Sequence, residues 1–318
     1  MSKLLKFFLG LIVLHVLLLL VNLAVERTFK SSNQRRDDRF LKEGIKKPVI
    51  FFGNSRVTEA VDFEQLPCTF NYTSGAESIW CYYYRLKYIL ENSPNSISNV
   101  VIPAEQGQFY FNDSKLFLEA NYWNTYVDFN ELAELTGKKR KYYSLQAKSL
   151  LVPYANTFSY FFSSLDIRRR KTNQEGKVDF SFKKKSFLNY SKAQQDSLRL
   201  GAINFILKNS NDLDLGTVYL VKLIQLCREN NVELLFVKYP ITKDLRSNLE
   251  KISKEKKVLN TDSIIHSNNC ALLDYSELFD DNQNYFFDAH HLNGEGRAII
   301  TEKLSDFIKC GKQRINEN

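Results

Sequence analysis

A chain of 318 residues, 44% of them hydrophobic, can bury one sizeable core with insertions or two small ones. Its formal charge of +8 is spread over several clusters, and no zinc-finger, helix-turn-helix or RNP-like pattern accompanies it, so nucleic acid is not an expected partner. The five cysteines show neither CxxC spacing nor the density of a disulfide scaffold, which excludes an ordinary zinc site, and their odd number leaves at least one thiol unpaired within the chain.

After a short tail (residues 1–6), Phe7 to Val25 reads FFLGLIVLHVLLLLVNLAV, with no acidic or strongly basic residue. About 19–20 residues at a rise of about 1.5 Å span a hydrocarbon core of about 30 Å, so this stretch predicts a transmembrane anchor. It is longer than a signal-peptide core, and no small-x-small cleavage site follows it. Lys3 and Lys6 precede it, whereas Arg27, Lys30, Arg35, Arg36, Arg39 and Lys42 follow. Taken literally, the positive-inside rule keeps the following domain in the cytoplasm, but it weakens for a long domain behind a single N-terminal anchor. Residues 26–47 are charged and poor in apolar side chains, the composition of a juxtamembrane stalk over lipid headgroups or of a solvated helix.

The globular part is placed at 48–312. Val49 to Phe52 form a continuous apolar run between Pro48 and Gly53, which predicts a strand buried on both faces. Similar runs occur at 68–73, 99–103, 232–240 and 270–276. Helix-period segments separate most of them: Ile79, Tyr83, Leu86 and Leu90 share one face, as do Leu220, Leu223, Ile224 and Cys227, and then Ile300, Leu304, Phe307 and Ile308. Strand and helix in alternation imply an α/β domain with a parallel sheet covered on both faces by right-handed crossovers. The alternation lapses in an insertion at about 110–215, rich in Tyr, Phe and Trp and carrying KKRK (138–141), RRRK (168–171) and KKK (183–185). Such a segment can cover a cleft, dock to a membrane or partner, or form an aromatic core with solvated basic edges.

Ligands gather beyond the carboxyl ends of the strands of an open parallel sheet, and Ser55 stands three residues past the last residue of the first apolar run. A serine hydroxyl needs a base to take its proton, and the base needs a carboxylate to hold its tautomer. Asp288 and His291, three apart in DAHHLNGEGR, suit those two roles, with Asn293 as the N-cap of the last helix. Successive side chains near a helix start diverge by about 100 degrees, so His290 and His291 are not expected to face one cleft together. Arg56 is a candidate for pairing with an anionic substrate group, or for a structural ion pair with Glu59 or Asp62. Adjacent histidines rarely bind one ion, so no metal is expected, and no cofactor is required.

Gly53-Asn54-Ser55-Arg56 after the first strand and Asp288-Ala289-His290-His291 near the end together resemble the SGNH or GDSL hydrolases, whose nucleophile lies in a Gly-x-Ser turn and whose acid and base form a late Asp-x-x-His. The resemblance covers roughly 45–110 and 215–309 and is closest to the membrane-anchored branch that includes acyltransfer proteins of cell-envelope polymers. It implies a three-layer αβα sandwich with a five-stranded parallel sheet of flavodoxin-like type behind the transmembrane helix, and catalysis by Ser55, Asp288 and His291. It further implies an oxyanion hole from the backbone of Ser55 and Gly75, with Gly75 supplied by FNYTSGAES. The third block departs from the family: PAEQGQFYFND has Tyr110 in the glycine place, leaving Gln106 or Asn112 as the side-chain donor. What the resemblance implies in function is hydrolysis or transfer of O-acyl, in the first place acetyl, esters on an envelope glycan through an acyl-serine. The domain then lies outside the cytoplasmic membrane, with a polytopic membrane acyltransferase as a possible partner. The alternative is an inactive scaffold of the same fold that holds an envelope glycan or such a partner.

Overall fold

Alternation of side chains along Val49–Phe52 decides how the sheet is packed. The structure, a computed structural model, describes residues 3–28, 30–75, 77–105, 109, 113–154, 186–208, 213–256 and 261–308. Five strands, β1 (Val49–Phe51), β2 (Thr69–Asn71), β3 (Asn99–Pro103), β4 (Glu233–Lys238) and β5 (Ala271–Asp274), form one sheet in the order β2-β1-β3-β4-β5. All pairings are parallel, with Ile50 opposite Phe70 and Val100, and Val101 opposite Leu235. The strands are those the apolar runs anticipate, because only a sheet with both faces covered can hide unbroken runs of Val, Ile, Leu and Phe.

Val49, Phe51, Val101, Leu235 and Val237 face one layer, where they pack with Val57 and Ala60 of α3 (Ser55–Ala60) and Ile300 and Leu304 of α13 (Gly294–Phe307). On the opposite face Phe52 stacks on Tyr82 of α4 (Ile79–Asn92) at 5.7 Å, and α4 packs beside α10 (Leu213–Glu229), with Tyr84 and Tyr219 hydroxyls 3.1 Å apart. The part of the chain that carries the sheet is therefore an αβα sandwich. Two helix faces differ from the predicted stripes. Residues 79–86 of α4 are buried on every side rather than along one stripe, Leu90 is only half-buried, and Arg85 is accommodated by an ion pair to Glu77 at 2.5 Å. Phe307, placed on the apolar face of the last helix, is 51% exposed.

The charged segment at 26–47 is not simply a stalk. It contains α2 (Ser32–Lys42), whose Phe40 is buried against Phe70 and Tyr72 while Arg39 donates to the Asn71 carbonyl. One aromatic side chain among charges suffices to draw this end of the helix into the sheet domain. The chain accordingly divides into two compact units, Arg39–Asn112 with Phe180–Asn318, and Met1–Asp38 with Asp113–Asp179. The second unit contains α1 (Lys3–Thr28) and a group of helices, α5 (Ser114–Leu118), α6 (Ala120–Trp123), α7 (Phe129–Thr136) and α8 (Lys139–Leu151). Within α1, Lys3–Val25 is long and apolar enough to cross a membrane. Cys68 is disulfide-bonded, which cysteine spacing gave no means to see, whereas Cys81, Cys227 and Cys270 are not in disulfides.

Candidate active site

Ser55 owes its position to three neighbours. Gly53 leaves no room for a side chain, since a Cβ there would overlap Val57 Cγ2. Asn54 caps α3 by accepting the Arg56 N–H at 2.9 Å. Ser55 becomes the first residue of that helix, directly beyond β1, whose neighbours β2 and β3 lie on opposite sides. In a sheet ordered 2-1-3-4-5 the gap between β1 and β3 is the topological switch point, where ligands bind.

The partner arrives from 236 residues away. Phe286 and Leu292 form an isolated antiparallel bridge, and the Asn293 N–H donates to the Tyr285 carbonyl, so 286–292 is a closed loop. Thr242, just past β4, ties it down by donating both its N–H and its hydroxyl to the Ala289 carbonyl at 3.1 and 3.0 Å. Asn293 caps α13 as its sequence position predicts, accepting from the Glu295 and Gly296 N–H groups. At Gly296 a Cβ would press on the Tyr285 carbonyl oxygen, so the helix can start this close to the loop only with glycine there.

The loop places His291 Nε2 3.0 Å from Ser55 Oγ and His291 Nδ1 2.8 Å from Asp288 Oδ2. Asp288 uses its other oxygen to accept the backbone N–H groups of His290 and His291 at 2.9 and 2.8 Å, which fixes the carboxylate as well as the ring it orients. Burial pushes the Asp288 carboxyl up, but the hydrogen bond from His291, the two imidazoles and the backbone N–H outweigh it and hold the group at about 2. Asp288 is thus an anion throughout the neutral range, as the orienting member of a relay must be. Phe287 stacks on His291 with an interplanar angle of 9° and closes one face of the ring.

His290 overturns one expectation. The two imidazoles do not diverge: their centroids lie 3.9 Å apart. Residues 287–291 form a bend organised around the Asp288 side chain rather than a helical turn, so the 100° spacing does not apply. His290 Nδ1 is buried and makes no hydrogen bond. Desolvation first, then the adjacent His291 and Arg56, lower this imidazole to about 3 against the pull of Asp288, so it is neutral at physiological pH. Asp288, His290 and His291 offer donor atoms within 4.8 Å of one another, a closeness that residue spacing did not anticipate, although Asp288 Oδ2 and His291 Nδ1 already serve each other.

Arg56 pairs with neither Glu59 nor Asp62. Its guanidinium reaches across the sheet edge to Glu105 Oε2 at 3.0 Å and the Tyr239 carbonyl at 3.0 Å, while Asp62 pairs with Arg297. The Tyr239 N–H in turn donates to Glu105 Oε1 at 3.4 Å. Burial lowers the Arg56 pKa and raises that of Glu105, and the attraction between them opposes both shifts. Glu105 and Tyr239 were missed in the sequence, although both follow directly on strands β3 and β4, the edge where ligands collect. Gly75 stands on an exposed turn after β2, linked to Gly53 and α3 by Ser74 N–H to Gly53 carbonyl at 2.8 Å and by Thr73 and Thr58 hydroxyls 2.7 Å apart. Gln106 and Asn112 lie outside the described residues.

Solved structures similar to this chain include a protein assigned as an acylhydrolase from Bacteroides fragilis, at 11% identity over 88% of this chain and 98% of that chain with a TM-score of 0.38. Another is a GDSL-like lipase from Bacteroides thetaiotaomicron, at 10% identity over 87% of this chain and 97% of that one with a TM-score of 0.40. No protein-family model and no curated protein matches the sequence. Likeness this distant says nothing about chemistry, which has to be read from the side chains.

Proposed function

We propose that this chain is a serine hydrolase or acyltransferase of the SGNH/GDSL type, anchored in a membrane by α1, that forms an acyl-enzyme at Ser55 and passes the acyl group to water or a sugar hydroxyl. The observation that carries this is the continuous chain Ser55 Oγ, His291 Nε2, His291 Nδ1, Asp288 Oδ2, with links of 3.0 and 2.8 Å. His291 takes the serine proton as Oγ attacks the ester carbonyl, then gives it to the departing alkoxide when the carbon–oxygen bond breaks. In the second half His291 deprotonates water or the acceptor alcohol, which displaces Ser55 from the acyl carbon and returns its proton. Asp288 stabilises the imidazolium in both halves. The Ser55 and Gly75 N–H groups are assigned to the developing oxyanion, a contribution worth about 100- to 1000-fold per donor in comparable sites.

The substrate class assigned is an O-acyl ester, acetyl above all, on a glycan of the cell envelope, with the domain on the extracytoplasmic side. The disulfide at Cys68 supports that side, because such bonds persist in oxidising compartments. It favours this placement over the cytoplasmic one that the charges flanking the anchor would give.

Treatment of the purified protein with a fluorophosphonate, followed by peptide mapping, tests the chemistry. Labelling at Ser55 that disappears in His291→Ala is expected. If Ser55 stays unlabelled while turnover of aryl acetate persists in Ser55→Ala, the acyl-serine is wrong. Turnover of aryl esters that rises with acyl length instead of falling after acetyl would exclude the acetyl assignment. If Ser55→Ala supports the in-cell phenotype unchanged, the protein is a scaffold.

A further inference from the structure

The anchor helix makes one side-chain contact that sequence did not foresee. His15 lies twelve residues from both Lys3 and Arg27, about 18 Å of helix from each, so it sits at the middle of the apolar span. Its Nδ1 is 3.3 Å from the hydroxyl of Tyr154, and the two rings meet edge to face at 5.8 Å. Tyr154 belongs to the same compact unit as α1 and comes three residues after the last residue of α8. Coverage of α1 agrees with this contact. His15, Leu18, Leu19 and Asn22, one helical face, are partly or fully covered, whereas Leu14, Val16, Leu17, Leu20 and Val21 are between 45% and 57% exposed.

A side chain that touches the midpoint of a membrane span must itself lie at hydrocarbon depth. Leu150 and Leu151, 60% and 65% exposed, suit that depth, and the exposed Lys148 in the same turn has to carry its ammonium toward the headgroups on its four-carbon stem. The turn is held in place from within the unit, with Asn121 Nδ2 donating to the Pro153 carbonyl at 2.8 Å. At the other end of α8, Lys139 and Arg140, preceded by Lys138, are exposed. Arg140 stands ten residues before Leu150, about 15 Å along the helix and half the thickness of a hydrocarbon core. With α8 running along the membrane normal, leucines at mid-depth put the basic cluster at the headgroups, where Lys and Arg are drawn to an anionic surface.

We propose that the end of α8, Leu150–Tyr154, inserts into the bilayer beside α1, so that lipid acyl chains cover Leu150 and Leu151 while the 138–140 cluster meets anionic headgroups. The inference rests on α1 being a membrane span. It makes the chain a two-point membrane protein, whose second point fixes the rotation of the anchor and the depth of its helical unit.

The test uses full-length protein in vesicles of phosphatidylethanolamine and phosphatidylglycerol that carry a trace of phospholipid with a diazirine at the end of one acyl chain. Irradiation and peptide mapping should find lipid adducts both in α1 and at Leu150–Tyr154. Leu150→Gln combined with Leu151→Gln should lower the second set at least fivefold and leave those in α1 unchanged. Adducts confined to α1 overturn the insertion of α8 and leave the span intact, whereas absence of adducts from α1 as well sinks the span and this proposal with it. Equal labelling at 150–154 in the double variant, or a crosslinked protein there in place of lipid after irradiation of native membranes, also overturns the assignment.

Discussion

The Arg56 guanidinium lies 3.0 Å from the Glu105 carboxylate, with both side chains nearly buried, at 13% and 10% exposure, one residue from the serine that His291 contacts. The pair joins α3 to the end of β3, and the Tyr239 backbone at the end of β4 touches both of its members. It acts on Ser55 by holding α3 in place, and its charges cancel within the site.

Removing either partner leaves the other as a buried, uncompensated charge. Arg56→Met or Glu105→Leu alone should lower unfolding free energy by about 3–5 kcal/mol, and the double replacement should recover most of that loss. Urea unfolding of the three variants gives the coupling directly. Additive losses would mean that the two charges do not sense each other.

Asp288→Asn keeps an oxygen for the two backbone N–H groups but turns an amide donor toward His291 Nδ1. The imidazole must then carry its proton on Nε2, facing Ser55 as a donor that cannot accept. A fall of about 10⁴-fold in kcat for aryl acetate is expected, with little change in melting temperature. A loss below tenfold would remove Asp288 from the relay.

His290 is neutral because folding depresses it from 6.5 to about 3. Below 6.5 the unfolded chain binds a proton that the native state refuses, so stability is complete above pH 6.5 and falls as pH drops toward 3. The loss between pH 6.5 and 5.5 should be about 1 kcal/mol. His290→Gln should flatten this slope, while Asp288, depressed from 3.8 to about 2, still adds its own loss of the same sign below pH 4. Chemical denaturation at a series of pH values measures both. A slope unchanged in His290→Gln would mean that His290 titrates normally in the fold.

Gly53→Ala forces a methyl group into Val57. Overpacking of this kind costs about 1–3 kcal/mol, and the shift of α3 moves Ser55 away from His291. About a hundredfold loss of kcat is expected from a displacement near 1 Å. Pairing the change with Val57→Ala should restore part of both, the remainder being the strain of a side chain at the Gly53 φ of 158° and the cavity left at Val57, and a double variant worse than the sum of the two single ones would place the cause elsewhere.

The α/β alternation, five strands, long apolar first helix, Gly-x-Ser turn and late Asp-x-x-His were all legible in the chain, because burial on two faces, hydrophobic length and capping each leave a local pattern. Hydrophobic runs show that a strand is buried without showing its neighbours, and a lone Phe40 among charges gives no sign that it belongs to the core. What the sequence determined by itself was which residue types could perform proton transfer and at which sheet edge they would gather. Tertiary structure alone decided that Arg56 meets Glu105, that two adjacent imidazoles lie against each other instead of diverging, and that Tyr154 reaches the middle of the first helix. Each of those contacts joins segments, or reverses a local preference, through packing that no single stretch of chain encodes.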